Sequence, residues 1–427
     1  MKGPAFEDAR TELPGHGLPW LDALRQTSIE QFRSVGMPTP ADEDWRFTNL
    51  APLRAHEFMP SLLAPSRPPP VDLEAATQDR IVFRDGRLDP THATPGTLPP
   101  GVSVRSLAQV LRDEPERVSA QLGQSADPKS RPLWALNTAW FEDGVLIEVE
   151  EATEVETPIE IEFIQSGSGS MLVTPRCLVL MGRGSRATVR ERYRSTGTGP
   201  YLTNALSEAI LEGDASLLHL RIQEESDAGF HLGGFASRQG ANSRLQQISI
   251  ALGSQLSRFE ISALLEGEGA DCALDGLYLA KRHQHVDHHT TIDHAVGHCT
   301  SRELYKGILA DHAHAVFHGR IQVRPHAQKT SAAQTNRNLV ISPAARVNTK
   351  PQLEIFADDV RCTHGSTIGR IEDDALFYLQ SRGIGREAAR ALLTYAFASE
   401  VAERIPDGAT RDWLRDYVDR WLREPGQ

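Results

Sequence analysis

From Trp134 to about Ile371 the chain runs through one short alternating segment after another, with no helical period between them. In "DGVLIEVEEATEVETPIEIEFI", Val145, Ile147 and Val149, then Ile159, Ile161 and Phe163, recur at every second place with glutamates between them. Side chains alternate faces along a strand, so this is the pattern of strands with one buried face. "RCLVLMG", "LLHLRIQ", "LQQISIAL", "RFEISALL", "DGLYLA", "NLVIS" and "QLEIFADDV" continue it, separated by glycines and small polar residues. Strands linked by crossover helices would interpose a helical period, and none is present. The region predicts a large, mainly β unit: a sandwich, a barrel, or a solenoid of stacked coils. No crisp repeat stands out, and the pattern leaves these three open.

The flanks differ. In "LPWLDALRQTSIEQFRSV", residues 18–35, Leu21, Leu24, Ile29, Phe32 and Val35 follow a helical spacing that Gly36 and Pro38 close. A proline-rich connector, "MPSLLAPSRPPPVD" from Met59, leads to a strand and turn, "IVFRDGRL", and to a predicted helix from Ser106, "SLAQVLRDEPERVSAQLG". Beyond Ile371, "REAARALLTYAFASEVAERI" and "TRDWLRDYVDRWLRE" each carry an apolar stripe, the second with Trp413 and Trp421. That stripe must be buried, on its own domain or on a partner. The predicted organisation is a mixed N-terminal region over 1–130, a β core over 131–371 and a helical C-terminal domain over 372–427.

Forty-five basic against 57 acidic side chains give a net charge of −12, which disfavours a protein that lives on nucleic acid or an anionic membrane. The first residues, "MKGPAFEDARTELPGHG", have no apolar run after a basic start, and no stretch has the roughly 18 apolar residues of a membrane span; the expected location is the cytosol. Cys177, Cys272, Cys299 and Cys362 are widely spaced, with no C-x-x-C pair, which fits free thiols better than disulfides or a zinc finger.

Ten of the sixteen histidines lie between His283 and His326, a density that asks for a reason. Within "KRHQHVDHHTTIDHAVGHCTSRELYKG", His283, His285, Asp287, His288, His289, Asp293, His294, His298 and Cys299 are all of ligand type for zinc, iron or copper. Their spacing matches no metal motif. They either line successive strands, bonded to one another and to backbone, or include a metal set; His283, His285, His294, His298 and Cys299 are the candidates for one, and a metal-dependent enzyme on a β-solenoid is the alternative function. "GRGSRATV" at Gly182 lacks the lysine and the helix of a phosphate loop, so ATP hydrolysis is not expected in this chain.

"DVRCTHGSTIG", from Asp359, places a thiol and an imidazole two residues apart in a predicted strand, so Cys362 and His364 share a face. Iron–sulfur clusters ordinarily take four thiolates, and no second cysteine lies nearby. The pair is either structural or half of a site that another chain completes.

"DEDWRFTNL" at Asp42, "ALNTAWFEDGVLIEV" at Ala135, "DHHTTIDHAVGHCTSRELYKGIL" at Asp287, "AQKTSAAQTNRNLVIS" at Ala327 and "VNTKPQLEIFADDVRCTHGSTIG" at Val347 together resemble the SufB/SufD family of iron–sulfur cluster assembly scaffold subunits. The SufB-type E-H-E-A-T-T-like segment and the cysteine before an A-H-T-F-like segment are missing, which places the resemblance on the SufD side. The resemblance implies a right-handed parallel β-helix core with helical regions at both ends. It implies a non-catalytic scaffold that pairs with a SufB-like subunit, binds a SufC-like ATPase through the C-terminal helices, and holds a transient cluster at the subunit interface. His364 is the implied ligand, with Cys362 beside it, and the two-tryptophan stripe gains a partner. A reduced flavin in the complex and a homodimer of the lone chain are compatible with the family; no cofactor is expected in the isolated chain.

Overall fold

The computed structural model describes residues 6–63, 80–89, 98–129, 131–167 and 169–423. Two parallel sheets dominate. One runs from Gly144–Val149 through Arg176–Met181, Leu206–Leu211, Gly229–Gln239, Leu256–Leu265, His285–His294 and His314–Val323 to Arg346–Ile355. The other runs from Arg80–Arg84 through Ile159–Gln165, Arg186–Ser195, Ser216–Glu224, Arg244–Ala251, Asp271–Ala280, Thr300–Leu309 and Ser331–Val340 to Arg361–Gly369. From Arg176 on, successive long strands fall in opposite sheets and each pairs with the strand one coil later, so the chain winds into a parallel β-solenoid of about eight turns. Of the three architectures open to the alternating pattern, the solenoid is the one adopted.

The alternation decides which side chains fill the space between the sheets. Val145, Ile147, Val149, Ile159, Ile161 and Phe163 are all buried in one apolar cluster. Aromatic rings stack from coil to coil: Phe83 on Phe163 and Phe163 on Tyr193, with centroids 5.2 and 4.9 Å apart. Farther along, large and small residues alternate. Gly276 is the register partner of Tyr305, and Tyr278 that of Gly307. A Cβ at Gly276 would lie 2.2 Å from the Tyr305 ring, and one at Gly307 would lie 2.0 Å from the Tyr278 ring. Each glycine makes room for the facing tyrosine, which is how close packing is kept where two large rings meet in neighbouring coils.

The coil interval is uneven. Cys177, Ser207, Phe235, Ile261, Thr290, Gly319 and Pro351 are register neighbours, one per coil, at unequal distances along the chain. This hides the repeat from the sequence. Strand Arg80–Arg84, from the N-terminal region, pairs in parallel with Ile159–Gln165 and antiparallel with Arg87–Leu88, the edge of the second sheet.

Helix Pro19–Val35 forms where its spacing predicts, with proline in its first turn and Gly36 at φ 75° ending it. The helix expected from Ser106 is two helices, Leu107–Asp113 and Glu116–Ser119. Pro115 cannot continue the first, whose start is capped by the Ser106 hydroxyl accepting from the Gln109 N–H. Most of the proline-rich connector lies outside the described residues. Helices Asp373–Ser381, Arg386–Ala402 and Gly408–Arg423 close the chain. Val401, Ile405, Leu414, Val418 and Trp421 cluster with Leu220, Ile222, Ile250, Leu279 and Ile308 on the outer face of the second sheet. The two-tryptophan stripe is thus covered by its own solenoid: Trp421 is 5% exposed, and Trp413 lies under the Arg192 guanidinium at 5.0 Å. This corrects the expectation that the stripe serves a partner; the outer face of the second sheet is itself apolar and takes it. The exposed aromatics of this domain are Phe377 and Tyr378 on Asp373–Ser381, with Leu392 exposed on the next helix.

Candidate functional site

The last strand, Arg361–Gly369, pairs with Ser331–Leu339 and, among the described residues, has no neighbour on its other side. Cys362 is the register partner of Ala332, and His364 that of Gln334, both of which are buried. Paired residues of parallel strands point the same way, so Cys362 and His364 share the inward face of the solenoid. Their places are core places, yet among the described residues no further coil lies above them. His364 is exposed; Cys362 is half-buried against the cluster of Ile321, Val323, Ala327 and Ala332. Burial pushes the Cys362 thiol up, against a smaller opposing effect of a hydrogen bond with the Ala332 backbone. A cation would be needed to draw out the thiolate.

Beneath the pair the interior is polar. Gln334 donates to the buried Glu303 at 2.5 Å; burial, opposed by this bond and one with Thr290, pushes the Glu303 carboxyl up to about 7. Asn338 donates to Asn336 at 2.7 Å and accepts from the Tyr278 hydroxyl at 2.5 Å. Strand Arg346–Ile355 ends the first sheet at the same end of the solenoid, pairing with His314–Val323 alone. Its Pro351 costs no ladder bond on the free side. Ile355, Phe356 and Ile368 are 40, 60 and 53% exposed here. The solenoid therefore ends in two unpaired strand edges, exposed apolar side chains, and an imidazole beside a thiol.

The histidine-rich segment is built differently. Three pairs of histidines meet across adjacent coils: His283 on His312, His285 on His314 and His289 on His318, with centroids 5.1, 4.8 and 4.9 Å apart. The five metal candidates are not brought together. His283 is an exposed corner residue; His285 lies on the outer face, 2.9 Å from the Thr48 hydroxyl. His294 points inward to Ser301 at 2.9 Å, His298 occupies a turn at φ 61°, and the buried Cys299 thiol donates to the Gly267 carbonyl. Burial, as the largest effect, pushes His285 and His294 down to about 4. Among the described residues, the potential ligands that do converge are Asp44, His289 and His318, whose donor atoms lie within 4.8 Å of one another. Asp44 and His318 were not singled out from sequence. The constant interval separating the three histidine pairs was the signal for His318; Asp44 carries none. Gly182 and Gly184 belong to a strand-to-strand turn, with no helix to receive a phosphate.

Fold and open end together define a class: a parallel β-solenoid that, among the described residues, ends in bare strand edges with a thiol and an imidazole on the last strand. Residues 4–161 match the SufBD protein N-terminal region, and residues 163–397 match the SufBD core domain of the SUF system for FeS cluster assembly. An iron-sulfur cluster assembly SufBD family protein of Synechocystis is 34% identical over 92% of this chain and 89% of its own. Iron-sulfur cluster assembly protein SufD of Escherichia coli is 32% identical over 90% of this chain and 88% of its own; SufD of Bacillus subtilis is 26% identical over 95% and 94%. The chain belongs to the SufBD family, with SufD proteins among its relatives, and its role lies in iron–sulfur cluster assembly.

Proposed function

We propose that this chain is a scaffold subunit whose open solenoid end pairs with a SufB-like chain, so that a nascent iron–sulfur cluster, the cargo, forms between the two. His364 supplies a ligand and Cys362 stands beside it. The observation that carries this reading is that both occupy inward-facing places on a free edge strand, uncovered by any coil among the described residues of their own chain. One imidazole and one thiol are too few donors to cage iron sulfide, so a second chain must complete the set. Ligation spread over two chains holds the cluster loosely enough to release it. The exposed Ile355, Phe356 and Ile368 supply apolar area for the pairing, and the two free edges supply backbone donors and acceptors for strand addition.

A SufC-like ATPase fits the C-terminal helices. Their inner stripe is spent on the solenoid, which leaves Phe377, Tyr378 and Leu392 as the docking face. The test is co-expression with a SufB-like and a SufC-like partner, measuring iron and acid-labile sulfide in the complex. His364→Ala is expected to lower cluster content several-fold while the complex still assembles. Equal cluster content and equal transfer to an apo-acceptor would overturn the ligand role.

A further inference from the structure

We propose that Asp44, His289 and His318 form a second site, for a single divalent transition-metal ion bound through two imidazole nitrogens and one carboxylate oxygen. It is separate from the open end: it lies on the outer face of the first sheet, whereas His364 lies on the inner face of the second. His289 and His318 are register partners on adjacent strands, their rings 4.9 Å apart at 76°. Asp44 comes from the N-terminal turn Glu43–Trp45, which is held on this face by Trp45 against the Arg258 guanidinium at 3.7 Å and by Arg258 donating to the Asp44 carbonyl at 2.8 Å.

The hydrogen-bond network leaves a lone pair on each ring for an ion. Gln352 donates its amide to Glu354 at 2.6 Å, so its carbonyl oxygen faces His318 Nε2 at 3.3 Å, and that nitrogen carries the proton. His318 Nδ1 is then bare, and it faces Asp44 Oδ1 at 3.6 Å. Two electron-pair donors that face each other in this way repel unless a cation lies between them. Their separation is near the roughly 3.4 Å spacing of two ligands on a tetrahedral ion with bonds of about 2.0–2.1 Å.

His289 follows the same logic. Arg258 Nη1 has two hydrogens and three neighbours: Asp287 Oδ2 at 2.6 Å, the Asp44 carbonyl at 2.8 Å and His289 Nε2 at 3.0 Å. The two shorter contacts take the hydrogens. His289 Nε2 is then left to donate to Asp287 Oδ1, 3.0 Å away, a buried oxygen with no other hydrogen-bond partner among the described residues. The outcome is a carboxylate-oriented imidazole whose lone pair lies on Nδ1, the arrangement by which metal-ligating histidines are ordinarily held.

Neighbouring cations already have counter-charges: Arg258 has Asp287 and Glu260, Lys350 has Glu43, and Arg320 lies between Glu354 and Asp44. Asp44 is 53% exposed and borders a cleft of about 570 Å³, so a water can take the remaining coordination position. A set of two nitrogens and one oxygen, with no sulfur, suits Zn²⁺, Co²⁺ or Fe²⁺ rather than a cluster.

The test is titration of the metal-stripped full-length chain with Co²⁺, read by its visible d–d absorption, followed by displacement with Zn²⁺. Wild type is expected to bind one equivalent, and His364→Ala is expected to bind the same. Asp44→Asn, nearly isosteric and at a half-exposed position, is expected to weaken binding by at least about tenfold with the thermal midpoint unchanged. His318→Gln is expected to weaken binding by a similar factor. Absence of the saturable one-equivalent band in wild type, or equal affinity in Asp44→Asn and wild type, would overturn the assignment.

Discussion

His288 and His364 both point into the solenoid, and they could hardly be in more different surroundings. His288 lies on a strand with a coil on each side; its ring stacks on Tyr278 at 5.3 Å, and burial pushes it down to about 3. His364 lies on a strand with a coil on one side only and is exposed. The difference teaches that alternation along a strand fixes which face a side chain takes, whereas the presence of the next coil fixes whether that face is core or surface. In a stacked fold the last coil is made of core residues without a core, and a partner or a ligand is what they lack.

The largest effect should come from the sealed coils. Phe317→Ala, at a fully buried ring 5.0 Å from Tyr305, is expected to cost about 3–5 kcal/mol, seen as a lowered denaturant midpoint. A loss under about 1 kcal/mol would mean that the late coils are loosely packed and would blur the contrast with the open end.

Acid should find the middle of the molecule next. Burial is the leading cause of the lowered affinity for protons at His285, His294 and His318, down to about 4 from 6.5. The unfolded chain then holds more protons between these values, so stability falls as pH drops from about 6.5 to about 4 and levels off below. His294→Gln should remove its share, roughly 1–2 kcal/mol of the difference between pH 7 and pH 5. An unchanged pH slope in that variant would show that His294 is hydrated in the folded state.

At the open end, Phe356→Asp should weaken pairing with a SufB-like chain by roughly 2 kcal/mol without altering the fold, measured by co-purification and sedimentation. Full pairing in this variant would move the interface elsewhere. The smallest expected effect sharpens the comparison most. Ile368→Ala and His364→Ala, both at exposed places, should change the stability of the lone chain by less than about 0.5 kcal/mol. A loss of several kcal/mol from either would mean that the last coil is covered in solution.

Much of this was legible in the chain. Val145, Ile147, Val149, Ile159, Ile161 and Phe163 announced their strands and their buried face, because a half-buried strand can be written only as an alternation. The spacing of Leu21, Leu24, Ile29, Phe32 and Val35 marked a helix, and Gly36 and Pro38 marked its end, since each of those two has a backbone preference of its own. The break at Pro115 was overlooked, although proline carries the same kind of signal. The tryptophan stripe was visible as a stripe, but not what it covers: a helical period states that a face must be buried and says nothing about the surface that buries it. The candidate sites divide in the same way. Cys362 and His364 share a face because they are two residues apart on one strand. Asp44 meets His289 and His318 only because the N-terminal turn folds across the outer face of the first sheet.

What the sequence determined by itself, then, were the local terms: which segments extend, which face of each is apolar, and which donors share a face. Tertiary structure alone decided the number of coils, the outer sheet face that takes the C-terminal helices, and the exposure of His364. The physical reason is that alternation and helical period are properties of neighbouring residues along the chain. Stacking and termination of coils depend instead on contacts between residues a full turn or more apart, and uneven turns erase the repeat that would have revealed them.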